Sequence, residues 1–347
     1  MPKDPSASAT PGLHPPANPH AVRAIRPFIP GRCRVAIIGA GIMGPGIAQV
    51  FAEAGYSVDL CDIDEAVLAR AMAAFHDGLA LKVELGLISS AARQDASRRV
   101  QAQALSDGVL AQADLIIEAV TEKADVKREL FARILRQAPP TAVVWSNTST
   151  LDVFALAPGD LLERMVVAHW FAPPHILPLV EVVAPSGAQR HTLEACVACL
   201  RDLGKSPVVL QRFVPGFLIN RLLRALGREA FYLLDEGVVS IGDLDVAVRT
   251  SLAPRMQMLG LMQRYDFTGL GLSLRNLENP QMVDAPVDLS PRILRERVER
   301  GELGIATGRG FYDYGVRDRL ALQRERDKKL WAAVAALGDA VGDPKPI

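Results

Sequence analysis

Val35-Ala-Ile-Ile-Gly-Ala-Gly-Ile-Met-Gly44 is the stretch from which the rest of the chain is read. Four apolar residues run straight into three glycines spaced G-x-G-x-x-G, and a helical pattern continues through Ala54. A second short apolar run, residues 57–61, ends beside Asp62, at about the 20-residue spacing that a dinucleotide-binding turn requires. Each part has a physical task. Gly39 permits the tight turn, Gly41 lets backbone N–H groups approach a pyrophosphate, and Gly44 allows close packing of the helix. The N-terminus of that helix offers partial positive charge to the phosphate. A carboxylate at Asp62 accepts from both ribose hydroxyls and repels a 2′-phosphate. The expected cofactor is therefore NAD rather than NADP, held by Gly39, Gly41, Ile42, Met43, Gly44 and Asp62.

On either side of this turn, short apolar runs alternate with longer helical patterns. Residues 35–38, 57–61, 114–118, 142–145 and 165–168 read as strands buried on both faces, which argues a parallel sheet covered on both sides by helices. Near Pro215-Gly216 the texture changes. Residues 217–236 form one long amphipathic pattern, residues 241–249 read as an N-capped helix, and no convincing strand follows. The expectation is an α/β fold, a Rossmann-like doubly wound parallel sheet, followed by an all-α C-terminal domain. The boundaries are a tail at 1–33, an NAD-binding domain at 34–213, a helical domain at 214–316, and a C-terminal helix and tail at 317–347.

Composition agrees and excludes other classes. The chain has 347 residues, 49% hydrophobic, with 39 Lys+Arg cancelling 39 Asp+Glu. A neutral chain with 5% aromatics offers neither a basic face nor stacking platforms for nucleic acid. No apolar run is long enough to span a membrane. Eight of the 24 prolines fall in the first 30 residues, without a periodic apolar face, so a disordered extension is expected there. Four cysteines are too few for a disulfide scaffold, and a cytoplasmic location follows. Cys196 and Cys199 spell C-x-x-C inside a helical pattern with no second ligand pair. They read as two buried small side chains, and no metal site is expected.

Two later strands end in polar residues that a core does not need. Residues 142–145 lead into Ser146-Asn-Thr-Ser149, and residues 165–168 lead into His169-Trp-Phe171. Ligands of doubly wound sheets bind beyond the carboxyl ends of the strands, so both segments face the crevice of the glycine turn. A histidine there is suited to proton exchange with a substrate hydroxyl, provided a partner fixes its tautomer. Glu181, a carboxylate inside the apolar run Leu177-Pro-Leu-Val-Glu-Val-Val183, is costly unless paired and is the candidate partner. Taken singly, His169 also reads as a satisfied interior histidine and Asn220 as a residue bonded within its helix. The dinucleotide turn favours the catalytic reading.

Ser146-Asn-Thr-Ser149, His169-Trp-Phe-Ala-Pro-Pro174, Leu179-Val-Glu-Val-Val183 and Pro215-Gly-Phe-Leu-Ile-Asn-Arg-Leu222, in this order, resemble the successive signatures of the L-3-hydroxyacyl-CoA dehydrogenase family. The resemblance runs from Arg34 to the Gly308-Arg-Gly-Phe-Tyr312 segment. It implies that His169 is the general base and that Glu181 orients it and stabilises its charged form. Ser149 and Asn220 would hydrogen-bond the reacting oxygen and its neighbourhood, and Glu122, Lys127 and Asn147 would contact the cofactor. It further implies a small-molecule substrate and a homodimer formed through the helical domain. Ala172 and Leu261 depart from the family pattern, where Asn and Pro are usual. So does the hairpin Phe75-His-Asp-Gly-Leu-Ala-Leu-Lys-Val-Glu-Leu-Gly-Leu87, which carries one lysine where acyl-CoA enzymes hold CoA with a serine and several lysines. An L-3-hydroxyacyl, CoA-like substrate is the first expectation. The Asp266-Phe-Thr-Gly-Leu-Gly271 segment resembles a pattern of gulonate and carnitine dehydrogenases, Pro173-Pro-His175 resembles the pyridine-carboxylate aldehyde dehydrogenase, and these relatives acting on free acids or aldehydes provide the alternative. A non-enzymatic NAD-binding or crystallin-like protein is a third reading, opposed by the joint presence of His169, Glu181, Ser149 and Asn220.

Overall fold

The apolar runs assemble into one eight-stranded sheet in the computed structural model, which describes residues 28–186 and 190–338. Its strands are β1 (Arg34–Ile38), β2 (Ser57–Asp62), β3 (Val100–Ala104), β4 (Leu115–Glu118), β5 (Val143–Ser146), β6 (Met165–Trp170), β7 (Leu179–Val183) and β8 (Ser206–Val209). They lie in the order β3-β2-β1-β4-β5-β6-β7-β8. The order reverses between β1 and β4, which opens the crevice beyond their carboxyl ends. Alternation along β1 explains the layers. Val35 and Ile37 enter a core with Phe51, Trp145 and Trp170, while Ala36 and Ile38 enter another with Phe131, Ile134 and Val144. Helices α1 (Gly44–Glu53), α2 (Glu65–Glu84), α3 (Ser90–Arg99) and α7 (Arg190–Asp202) cover the first face; α4 (Asp107–Gln112), α5 (Ala124–Gln137) and α6 (Gly159–Leu162) cover the second. Each fully buried aliphatic or aromatic side chain contributes about 1.5–3 kcal/mol. Cys196 and Cys199 are both buried and free in α7.

The sheet departs from the all-parallel expectation at one side. β7 runs antiparallel to β6, with His169 opposite Glu181 in the register. The connection spans only residues 171–178, shorter than the dozen or more residues that a parallel crossover needs. β8, reached through α7, is again parallel to β7. Two strands also go unannounced in the sequence. β3 reads Val-Gln-Ala-Gln-Ala and β8 reads Ser-Pro-Val-Val, both at sheet edges, where polar residues and proline are tolerated.

The helical part comprises α8 (Ile219–Asp235), α9 (Ile241–Ala247), α10 (Ala253–Thr268), α11 (Leu270–Leu277), α12 (Arg292–Glu299) and α13 (Arg319–Leu337). The α8 helix starts two residues later than its apolar pattern, because Gly216 (φ 78°) and Phe217 (φ 48°) turn the chain through the left-handed region. Ser240 caps α9 by accepting the Asp243 N–H (3.1 Å), and a π-helical segment, Val248–Leu252, carries the chain on into α10. The charged stretch 317–329, part of the expected C-terminal helix, places one face of α13 on α2. Arg324 pairs with Asp77 (2.6 Å) and Glu84, and Lys328 pairs with Glu84 (2.5 Å). At the other terminus, Phe28 stacks edge-on against Trp145 (5.8 Å), and its carbonyl accepts the Tyr56 hydroxyl (3.0 Å). Residues 28–33, assigned by composition to the tail, thus join the core's edge. The remainder of the tail, residues 1–27, and residues 339–347 lie outside the described residues. Among the described residues no helix is long and apolar enough to cross a membrane.

Candidate active site

The glycine turn is built around close backbone contacts. A Cβ on Gly39 would stand 2.3 Å from the Ala119 carbonyl oxygen, and one on Gly44 would stand 2.3 Å from the Gly39 carbonyl oxygen. Gly41 differs, since no protein atom lies within 4 Å of the Cβ it lacks. Packing does not explain that glycine, whereas the approach of a pyrophosphate does. Ile42 is 77% exposed beside it, and Met43 packs against the core at the start of α1. Asp62 is fixed by backbone donors. The Ala40 N–H reaches one oxygen (2.8 Å) and the Ile63 N–H the other (2.8 Å), so this carboxylate is locked to the glycine turn. Turn, helix N-terminus and carboxylate together fit a dinucleotide.

Beyond β4 and β5 lies a polar cluster. Glu122 accepts the Thr148 hydroxyl (2.7 Å) and the N–H groups of Ser149 (3.0 Å), Thr150 (2.8 Å) and Leu151 (3.2 Å) on one oxygen. Its other oxygen faces Lys127 Nζ at 3.3 Å. Burial pushes the Glu122 carboxyl up, but the Thr150 N–H, the Thr148 hydroxyl, the Lys127 charge and the Leu151 N–H outweigh it and hold the group at about 2. Lys127 is buried and also donates to Glu118 (2.6 Å). Asn147 accepts the Trp170 N–H (2.9 Å) through its side-chain oxygen, which ties the end of β5 to β6 and leaves its NH2 as the group able to reach a ligand. Ser146 and Thr148 belong to the polar run expected beyond β5, whereas Glu118 goes unannounced in the sequence motifs. The signal for Glu118 was present, because a carboxylate closing the apolar run Leu-Ile-Ile-Glu needs a buried partner for the same reason as Glu181.

The antiparallel return of β7 brings His169 and Glu181 together. His169 Nδ1 lies 2.9 Å from Glu181 Oε2, and both residues are buried, at 5% and 1% exposure. A carboxylate only accepts, so Nδ1 carries the hydrogen and Nε2 is left as the proton acceptor. The other oxygen of Glu181 accepts the N–H groups of Leu218 (3.0 Å) and Ile219 (2.8 Å), unpaired donors at the start of α8. The helical domain therefore completes the carboxylate that orients the histidine. Asn220 follows Ile219 in the first turn of α8. Phe217 and Phe171 hold the imidazole at ring distances of 5.2 and 4.6 Å. The left-handed Phe217, a strained conformation for a bulky residue, aims the next two N–H groups at Glu181.

His175 lies largely buried against α1, where a Cβ on Gly46 would stand 3.0 Å from its Nδ1. Its Nε2 lies 3.9 Å from Asp327 on α13. Burial, with the nearby charges of Lys205, Lys82 and Arg326, lowers its pKa to about 4. At neutral pH that contact is consequently not an ion pair. Lys205, also buried, donates to the carbonyls of Pro174 (2.7 Å) and Leu177 (3.1 Å) and braces the loop that follows the histidine strand.

Comparison with known proteins bears on this site. A family model described as the 3-hydroxyacyl-CoA dehydrogenase NAD binding domain matches residues 34–213, and one described as the C-terminal domain matches residues 216–314. A 3-hydroxybutyryl-CoA dehydrogenase of Bradyrhizobium diazoefficiens is 36% identical over 285 residues, covering 81% of this chain and 95% of the relative. The 5-formyl-3-hydroxy-2-methylpyridine 4-carboxylate 5-dehydrogenase of Mesorhizobium japonicum is 34% identical over 301 residues, covering 86% of this chain and 96% of the relative. A crystal structure of a 5-dehydrogenase of that pyridine carboxylate, described as an NAD+-dependent dismutase, aligns with a TM-score of 0.78 at 32% identity, covering 88% of this chain and 98% of that one.

Proposed function

Because the chain belongs to the 3-hydroxyacyl-CoA dehydrogenase family and is an NAD-dependent dehydrogenase acting on CH–OH groups, we propose that His169 is its general base and a small free carboxylic acid its substrate. The observation that carries the base assignment is the buried His169–Glu181 pair, with Nδ1–H on the carboxylate and Nε2 left to accept. When bound, NAD+ supplies the acceptor for the hydride leaving the substrate carbon. The residues of the chain do the rest. Nε2 of His169 takes the hydroxyl proton as the C–H bond breaks, Glu181 stabilises the resulting imidazolium, and Ser149 and Asn220 hydrogen-bond the oxygen as it becomes a carbonyl. Gly39, Gly41 and Gly44 would hold the pyrophosphate, Asp62 the ribose, and Asn147 the nicotinamide side of the crevice.

The preference for a free acid rests on charge. A CoA thioester brings several phosphate charges that call for Arg or Lys. The outer face of α2 offers Asp77 and Glu84, both engaged by α13, while Lys82 is paired with Glu53 and lies 5.2 Å from the centre of the Trp331 ring. The pyridine-carboxylate relative, which matches more of the chain than the hydroxybutyryl-CoA enzyme does, supports the same reading. An NAD-coupled assay of acetoacetyl-CoA against free acetoacetate, gulonate, carnitine and pyridine-carboxylate aldehydes tests it. The expected result is a kcat/KM for one of the free acids at least about tenfold above that for the thioester; a preference for acetoacetyl-CoA contradicts it.

Apolar residues on the helical domain support a homodimer. Met258, Met262, Leu274 and Leu277 are 64%, 71%, 56% and 82% exposed in one chain. Apolar exposure on this scale marks an interaction surface.

A further inference from the structure

Glu118 lies at the end of β4, between β1 and β5, and is fully buried. Its oxygens take Lys127 Nζ (2.6 Å), the Val120 N–H (3.0 Å) and the Ser146 hydroxyl (2.5 Å). Lys127, 1% exposed, spans from Glu118 to Glu122, whose other oxygen gathers the N–H groups of residues 149–151. Removing such charges from water costs several kcal/mol per ion, and an apolar replacement is often as stable, so stability alone does not account for the triad. The arrangement does fix a shape. Both oxygens of Glu122 and the ammonium of Lys127 are engaged by the protein, and the segment they hold carries Ser149.

We propose that Glu118 is a positioning residue of the dehydrogenase reaction, acting through Lys127 and Glu122 to fix the loop that presents Ser149 to the reacting oxygen. The inference rests on the assignment of Ser149 made above. With Glu118 neutralised, the positive charge of Lys127 is drawn toward Glu122, its hold on the 149–151 N–H groups loosens, and Ser149 loses its place. The dinucleotide turn, anchored separately through Asp62, is untouched.

The test is a double-mutant cycle of Glu118→Gln and Ser149→Ala in the full-length protein, reading kcat, KM and NADH affinity by fluorescence. Glu118→Gln is expected to lower kcat about tenfold or more with NADH affinity changed less than about threefold. In the Ser149→Ala background the same change should lower kcat by less than about threefold, because the residue it acts through is gone. Losses that multiply, an unchanged kcat in Glu118→Gln, or a loss confined to NADH affinity each overturn the proposal. An unchanged kcat in Ser149→Ala alone overturns the assignment of Ser149 and this proposal with it, which separates the two failures. If Glu118→Gln does not fold, Ser146→Ala, which removes the hydroxyl that the second oxygen of Glu118 accepts, enters the same cycle under the same criteria.

Discussion

Glu181 uses its two oxygens for two neighbours, one for the imidazole of His169 and one for the first N–H groups of α8. The same division recurs at Glu122, with one oxygen for Lys127 and the other for the N–H groups of residues 149–151, and at Glu118, with one oxygen for Lys127 and the Val120 N–H and the other for the Ser146 hydroxyl. His175 shows the opposite case, a titratable group buried without compensation, and it yields a pH-dependent prediction. Its pKa in the fold, lowered to about 4, lies below the ordinary value of 6.5, so the unfolded chain binds the proton first as pH falls. Stability should therefore drop as pH is lowered from 6.5 toward 4. Glu122, held at about 2, acts in the same direction at lower pH, its contribution being complete above 4.5 and lost as pH falls toward 2. Denaturant unfolding at pH 7 and pH 5 checks this, with wild type expected to lose about 2 kcal/mol more than His175→Leu between the two. Equal losses would mean that His175 is protonated in the folded protein.

Among the elements, β1, the glycine turn and α1 were legible because each local preference agrees with the global fold: an apolar run, three spaced glycines and a helical pattern. The same holds for the strands buried on both faces. β3 and β8 were not legible because edge strands carry little apolar signal. The direction of β7 was hidden in a loop length, since the eight positions from 171 to 178 permit an antiparallel return and no crossover. That short return is what sets Glu181 opposite His169, so the pair was readable as residue types while its geometry was not. The docking of α13 on α2 was hidden for a different reason. A helix of mixed charge looks solvated until Asp77 and Glu84, some 240 positions earlier in the chain, are seen to face Arg324 and Lys328.

The whole molecule joins an NAD-binding sheet to a helical domain through the site itself, because the Leu218 and Ile219 N–H groups from one side finish the carboxylate of the other. Apart from that junction, α8 through α12 bury none of their residues within one chain. Sedimentation at micromolar concentration should accordingly give a dimer, and Met262→Glu with Leu274→Glu should shift it toward the monomer; a monomeric wild type would leave the apolar faces unexplained. The catalytic claim is tested most directly with His169→Gln in the full-length protein, measuring NADH affinity by fluorescence and turnover on the best substrate of the panel. The substitution is expected to keep NADH affinity within about threefold and to lower kcat by about 10²–10⁴-fold. A variant that binds NADH and turns over at the wild-type rate would contradict the assignment of His169 as the base.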